Sequence, residues 1–209
     1  MTLPAAVLLL VALQRAAELA FAVRNTRQLR ALGAIETDRR GYPWFVVLHG
    51  AWLASLWLAV PADAAASWPL LGLYGALQLA RLWSIASLGR YWTTRILTLP
   101  GAPLVAAGPY RWLRHPNYLI VTAEIAVLPL AFGALALAVV FSAANFVLLA
   151  RRIAIEERAL APRRQGAVDM PTTIILQSPD VLPSPTTSQL DAPRRRGAAC
   201  WSGSCGRWL

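Results

Sequence analysis

The sequence predicts an all-α integral membrane protein of about five transmembrane helices, the last two forming a helical hairpin. Three observations lead there. Hydrophobic residues fill 57% of the chain and charged residues only 14%, against about 45–50% and about 25% in a soluble domain. A soluble core of this size cannot hide so much apolar surface, and the same excess rules out disorder for most of the chain. The apolar residues fall into four long stretches and one short one. The arginines gather in alternate connections, as membrane topology requires.

Taken in order, the first stretch is Leu3–Val23, interrupted by Gln14, Arg15 and Glu18. Met1–Pro4 carries no side-chain charge and charges break the apolar run, so it reads as a retained helix rather than a cleaved signal. Tyr42–Val60 follows, with His49 and Ser55 as its main polar members. Trp68–Leu88 contains Gln78 and Arg81. Tyr118–Leu130 has only 13 residues and contains Glu124; Ala131–Ala150 has 20 and contains Asn145. A span takes roughly 20 helical residues, so the fourth stretch is short for one.

Arg24–Gly41 holds five arginines, Gly89–Asn117 holds Arg90, Arg95, Arg111 and Arg114, and Arg151–Arg164 holds five; Pro61–Ser67 holds none. Basic connections stay cytoplasmic, which puts the N-terminus outside and the C-terminus inside. Tyr118–Ala150, lying between two basic segments, must then enter the membrane and return. Pro129 and Gly133 sit where the turn falls. The membrane domain is expected over 1–161. The Pro-, Ser- and Arg-rich remainder, 162–209, reads as a disordered tail.

Composition also removes chemistries. Every one of the twenty basic residues is arginine, so lysine Schiff bases and a P-loop lysine are impossible. His49 and His115 are the only histidines, too few for a histidine-rich metal centre. Cys200 and Cys205 come too late for a disulfide framework. The net charge of +10 reads first as an orientation signal. No metal and no nucleic-acid partner is expected; membrane lipids are.

Charges inside membrane helices are expensive and mark functional candidates. Arg15 and Glu18, three apart, share a face and can satisfy each other while gripping neighbouring helices. Arg81 reads equally as structural or functional. Glu124 must be neutral or paired with an arginine. His49 is either a hydrogen-bonded core histidine or part of a substrate-cavity wall. The densest segment is GAPLVAAGPYRWLRHPNY at Gly101–Tyr118, whose Tyr110, His115, Asn117 and Tyr118 can wrap a polar ligand on irregular backbone. It can equally be a connector whose arginines bind lipid phosphates. RRIAIEERAL at Arg151–Leu160 places Arg152 and Glu156 on one face, and the hairpin returns them to the side of His115 and Tyr118.

RHPNY at Arg114–Tyr118 followed by EE at Glu156–Glu157, together with ELAFAVRN at Glu18–Asn25, LH at Leu48–His49 and RLWSIASLGRYWTTRI at Arg81–Ile96, resembles the isoprenylcysteine carboxyl methyltransferase family over roughly residues 10–161. The resemblance implies a membrane methyltransferase that uses S-adenosylmethionine bound in a cytosolic pocket, without a glycine-rich dinucleotide motif. It implies cofactor contacts from Leu104, Val105, Tyr110, His115, Asn117, Tyr118 and Glu156, with Arg152 facing the acceptor as the catalytic residue. Arg81, Glu124 and His49 are the substrate-side candidates. The acceptor implied is an oxygen of a lipid: a small enol, phenol or carboxylate such as an alkylpyrone or alkylresorcinol ahead of a prenylated cysteine. Membrane sterol-type reductases carry a similar RHPNY, so an NADPH-dependent reductase is the alternative, and a non-enzymatic lipid-binding scaffold a third; the EE helix favours the first.

Overall fold

The computed structural model describes residues 1–100, 102 and 105–168. Within them the chain forms five α-helices: α1 (Leu3–Ala31), α2 (Tyr42–Ala59), α3 (Trp68–Leu88), α4 (Pro116–Ala131) and α5 (Leu135–Val168). A two-stranded antiparallel ribbon pairs β1 (Ile35–Glu36) with β2 (Leu97–Thr98), setting Ile35 opposite Thr98 and Glu36 opposite Leu97. Short 3-10 turns occupy Gly89–Tyr91 and Gly108–Arg111. Three helices, α1, α2 and the Leu135–Ala159 part of α5, are long and apolar enough to cross a membrane; α4 is a shorter apolar helix.

The helices begin where proline allows. Pro4, Pro43, Pro69 and Pro116 each sit in the first turn of their helix, where the missing N–H has no intrahelical partner to lose. The predicted bounds of α2 and α3 agree with the structure to a residue. Those of α1 do not. Its apolar run ends at Val23, but the helix continues two more turns and buries Asn25, Thr26 and Leu29. Two of these three are polar, so an apolar count stops too early.

Pro129 does not break the chain as expected; it lies inside the last turn of α4. The reversal is made by Gly133, at φ +73°. Gly133 N–H donates to Leu130 C=O at 3.1 Å and Ala134 N–H to Pro129 C=O at 2.9 Å, a Schellman closure that satisfies the last carbonyls of α4. α5 then returns along α4. It does not stop at Ala150 but runs unbroken through RRIAIEERAL to Val168. The start of the tail expected from residue 162 is therefore helical; 169–209 lie outside the described residues.

Because neighbouring helices alternate in direction, their side chains form layers. Leu8, Val11, Leu56, Tyr74, Leu128 and Phe132 are buried together at one end, with Leu48, Trp52, Val121 and Ile125 extending the cluster inward. The Ser67 N–H donates to the Ala131 carbonyl at 2.8 Å there, tying the α2–α3 connection to the end of α4. A charged layer follows, then a cavity. Outward faces remain apolar: Leu10, Leu58, Leu79, Val140 and Phe146 are exposed, as lipid contact requires.

Candidate functional site

The end of the bundle away from that core encloses a cavity of about 670 Å³. Its walls are apolar where α1 and α2 supply Leu19, Phe45, Val46 and Leu53, and its floor is charged, with Arg15, Glu18 and Arg81. Its mouth carries Tyr110, His115, Asn117, Tyr118, Arg152 and Glu156. The β1–β2 ribbon and the segment after α3 complete it. Asn25 fastens that segment to α1, its side-chain amide donating to the carbonyls of Gly89 at 3.0 Å and Trp92 at 2.9 Å.

Tyr118 is the hub of the mouth. Arg152 Nε donates to its hydroxyl at 2.8 Å, and the hydroxyl donates to the Glu156 carboxylate. Arg152 and Glu156, one turn apart on α5, thus meet through a residue of α4 rather than as a direct pair along the helix. Arg152 is further held by an Nη2 bond to the Thr94 carbonyl at 2.8 Å, and its guanidinium lies 5.0 Å from the Phe45 ring centroid. His115 stacks on Tyr118 with ring centroids 5.3 Å apart and planes 11° from parallel. Its Nε2 is 2.8 Å from Glu157 Oε1. Burial, then the neighbouring Glu156 charge, push the Tyr110 hydroxyl well above the usual tyrosine range, so it stays protonated as a donor. Asn117 Oδ1 is buried without a partner among the described residues.

The floor is a closed network of two arginines and two carboxylates. Arg15 donates to Glu18 at 2.9 Å and to Glu124 at 2.7 Å. Arg81 donates through Nε to Glu18 at 2.8 Å and through Nη1 to Glu124 at 3.1 Å, with Nη2 2.7 Å from Glu18. Gln14 bonds Gln78 at 2.7 Å, and Gln78 donates to Glu124 at 2.8 Å. The charges cancel, which is what burial in a low dielectric demands. Three helices, α1, α3 and α4, are joined by it.

The sequence-predicted residues therefore separate into two groups. Val105, Tyr110, His115, Asn117, Tyr118, Arg152 and Glu156 share the cavity mouth. Leu104 lies outside the described residues. Arg81 is at the cavity floor and His49 on its wall, while Glu124 is beneath, only 1% exposed and occupied by Arg15, Gln78 and Arg81. Sequence reasoning missed the Glu157 contact with His115, the Phe45 platform under Arg152, and Glu36. Glu36 takes hydrogen bonds from Arg30 and, at 2.6 Å, from Arg95. Arg95 in turn covers the Tyr42 ring at 4.1 Å. Glu157 was flagged by the EE motif without a partner, Glu36 by its place in a basic connection, and Phe45 by no signal beyond its aromatic setting.

Fold and site together define a helical membrane protein in which a mouth of arginine, carboxylate and aromatic groups opens on a partly apolar cavity. The model of the isoprenylcysteine carboxyl methyltransferase (ICMT) family matches residues 70–162, the stretch that carries α3, the mouth segment, α4 and most of α5. "Uncharacterized protein YpbQ" of Bacillus subtilis (strain 168) is 41% identical over 152 residues, covering 70% of this chain and 90% of that protein. No solved structure matches the chain. The chain belongs to the isoprenylcysteine carboxyl methyltransferase family, a family of membrane methyltransferases.

Proposed function

We propose that this protein transfers a methyl group from S-adenosylmethionine to an oxygen of a lipidic acceptor at the cytoplasmic face of a bacterial cytoplasmic membrane. A small enol, phenol or carboxylate such as an alkylpyrone or alkylresorcinol is preferred to a prenylated cysteine. All five helices cross in this reading, N-terminus outside and C-terminus cytoplasmic. At ~1.5 Å per residue the sixteen-residue α4 rises ~24 Å, so it tilts little and the bilayer thins around it.

The observation that carries the reading is the Arg152–Tyr118–Glu156 junction at the mouth of a cavity with apolar walls. The residues fit the cofactor. The unpartnered Asn117 Oδ1 and the Glu156 carboxylate accept from its amino and hydroxyl groups, Tyr110 and His115 supply polar and aromatic contacts, and Val105 adds wall. When bound, the cofactor supplies a methyl made electrophilic by its sulfonium. Arg152, held at three points, orients an anionic acceptor oxygen by charge-assisted hydrogen bonding. An enolate, phenolate or carboxylate needs no strong base, so the protein's work is to position the reactants and exclude water. Tyr118 keeps Arg152 and Glu156 at fixed separation.

Calorimetric titration of the purified full-length protein with S-adenosylmethionine and with NADPH tests this. Glu156→Ala and His115→Ala are expected to abolish S-adenosylmethionine binding, and truncation after Ala161 to preserve it. Selective binding of NADPH would overturn the reading. Methyl transfer from labelled cofactor to a panel of phenolic, enolic and prenylcysteine lipids then identifies the acceptor class.

A further inference from the structure

The floor and the wall of the cavity differ in the hydrogen-bonding capacity they leave open to it. Arg81 spends all three guanidinium nitrogens on Glu18 and Glu124, and both terminal nitrogens of Arg15 are paired. Arg15 Nε is buried without a partner among the described residues, but it is closed off from the cavity, and two arginines are matched by two carboxylates; the floor is polar but neutral, so it calls for no anion. Nor does it suit the end of a hydrocarbon chain, which would lie against charged groups that gain nothing from it.

His49 is different. Its Nδ1 lies 2.8 Å from the Phe45 carbonyl. A carbonyl only accepts, so Nδ1 carries the proton and, in the neutral ring, Nε2 is an acceptor. Among the described residues Nε2 has no hydrogen-bond partner. The ring lines the cavity one helical turn along α2 from Phe45, ~6 Å by helix rise. Phe45 is the ring against which the Arg152 guanidinium packs. An unused acceptor thus sits about one turn deeper than the arginine that faces the reacting oxygen, between apolar Val46 and Leu53.

We infer that His49 determines acceptor specificity, its Nε2 accepting a hydrogen bond from a hydroxyl on the acceptor head group other than the oxygen that is methylated. The head group is then a compact polar unit with oxygens on two sides, one toward Arg152 and one toward His49, and its tail leaves past the apolar α1 and α2 walls. Carboxylate acceptors with no second donor fit less well. This inference rests on the proposed methyl transfer to a lipidic oxygen.

Two probes that differ by a single hydroxyl, 5-pentadecylresorcinol and 3-pentadecylphenol, test it with labelled S-adenosylmethionine and the full chain. The wild type is expected to favour the diol by ~10-fold or more in kcat/KM, expressed mainly in KM, since a buried acceptor left unpaired discriminates against the analogue that lacks the donor. His49→Phe should bring the ratio of the two probes close to one, and His49→Gln, which restores an acceptor, should recover part of it. Cofactor affinity by calorimetry reports whether each variant is folded; if His49→Phe is not, the wild-type ratio and His49→Gln carry the test. Equal use of both probes by the wild type, or a preference that survives in His49→Phe, overturns the inference while leaving the methyl-transfer reading intact. Methylation of neither probe by protein that binds the cofactor overturns both the inference and the phenolic acceptor on which it rests.

Discussion

Arg152 on α5 donates to the Tyr118 hydroxyl on α4 at 2.8 Å, and that hydroxyl donates onward to Glu156. One oxygen atom therefore links the group proposed to face the acceptor with the group proposed to hold the cofactor. Tyr118→Phe keeps the ring stacked on His115 but removes the link. Losing a hydrogen bond to charged partners costs about 1.5–3 kcal/mol, so methyl transfer is expected to fall ~10–100-fold. Steady-state kinetics with S-adenosylmethionine check this; unchanged kinetics would mean that the junction does not position the reactants.

Glu124 is 1% exposed and, together with Glu18, balances Arg15 and Arg81. Glu124→Gln leaves one uncompensated charge in the bundle and is expected to cost about 3–5 kcal/mol, read as a lowered unfolding midpoint in detergent. Adding Arg81→Gln restores neutrality and should recover a substantial part. A double variant less stable than either single one would show that the network is not governed by its charge balance.

Two glycines separate backbone strain from collision. A Cβ at Gly133 meets nothing within 4 Å, so Gly133→Ala costs only the positive-φ penalty, about 1 kcal/mol. Gly108 also has positive φ, +55°, but there a Cβ would lie 2.0 Å from Ser87 Oγ and 2.9 Å from Ser87 Cβ. Gly108→Ala should be the more destabilising by thermal unfolding, and by displacing the mouth segment it should weaken cofactor binding as well.

The ribbon over the cavity is held by a carboxylate that titrates low. Burial pushes the Glu36 carboxyl up, but hydrogen bonds from Arg95 and Arg30 outweigh it and hold the group below the usual carboxylate range. A carboxyl with a lowered folded value contributes stability above its unfolded value and loses it as pH falls through the folded one. The ribbon should therefore stay fastened down to the ordinary carboxylate range and loosen only below it. Arg30 is 45% exposed, so Glu36→Gln should cost no more than about 1 kcal/mol at neutral pH. The difference between variant and wild type should shrink in acid, as measured by amide exchange across residues 35–37 and 96–98.

Much of this was legible in the sequence because membrane helices announce themselves by composition and proline placement. The starts of α2 and α3 and the gathering of His115, Tyr118, Arg152 and Glu156 followed from apolar lengths and from the return of α5 alongside α4. What could not be read was pairing at long range. Arg15 reaches Glu124, 109 residues away, and no local spacing encodes that. Arg152 and Glu156 looked like an ordinary pair one turn apart, because the tyrosine that stands between them belongs to another helix. The last two turns of α1 were hidden for the opposite reason: polar Asn25 and Thr26 are buried there by tertiary contacts that an apolar count cannot see.

The charged layer also bears on how the chain is made. α1 carries its own countercharge, since Arg15 and Glu18 sit one turn apart on the same helix. α3 does not: Arg81 emerges 63 residues after one of its carboxylates and 43 residues before the other. During synthesis Glu18 is already present when the third helix appears, whereas Glu124 is not, so its cation is not fully matched until the fourth has followed it. The order of the helices along the gene is thus also an order of electrical completion, and the last piece to arrive is the helix that brings Tyr118 and His115 to the mouth.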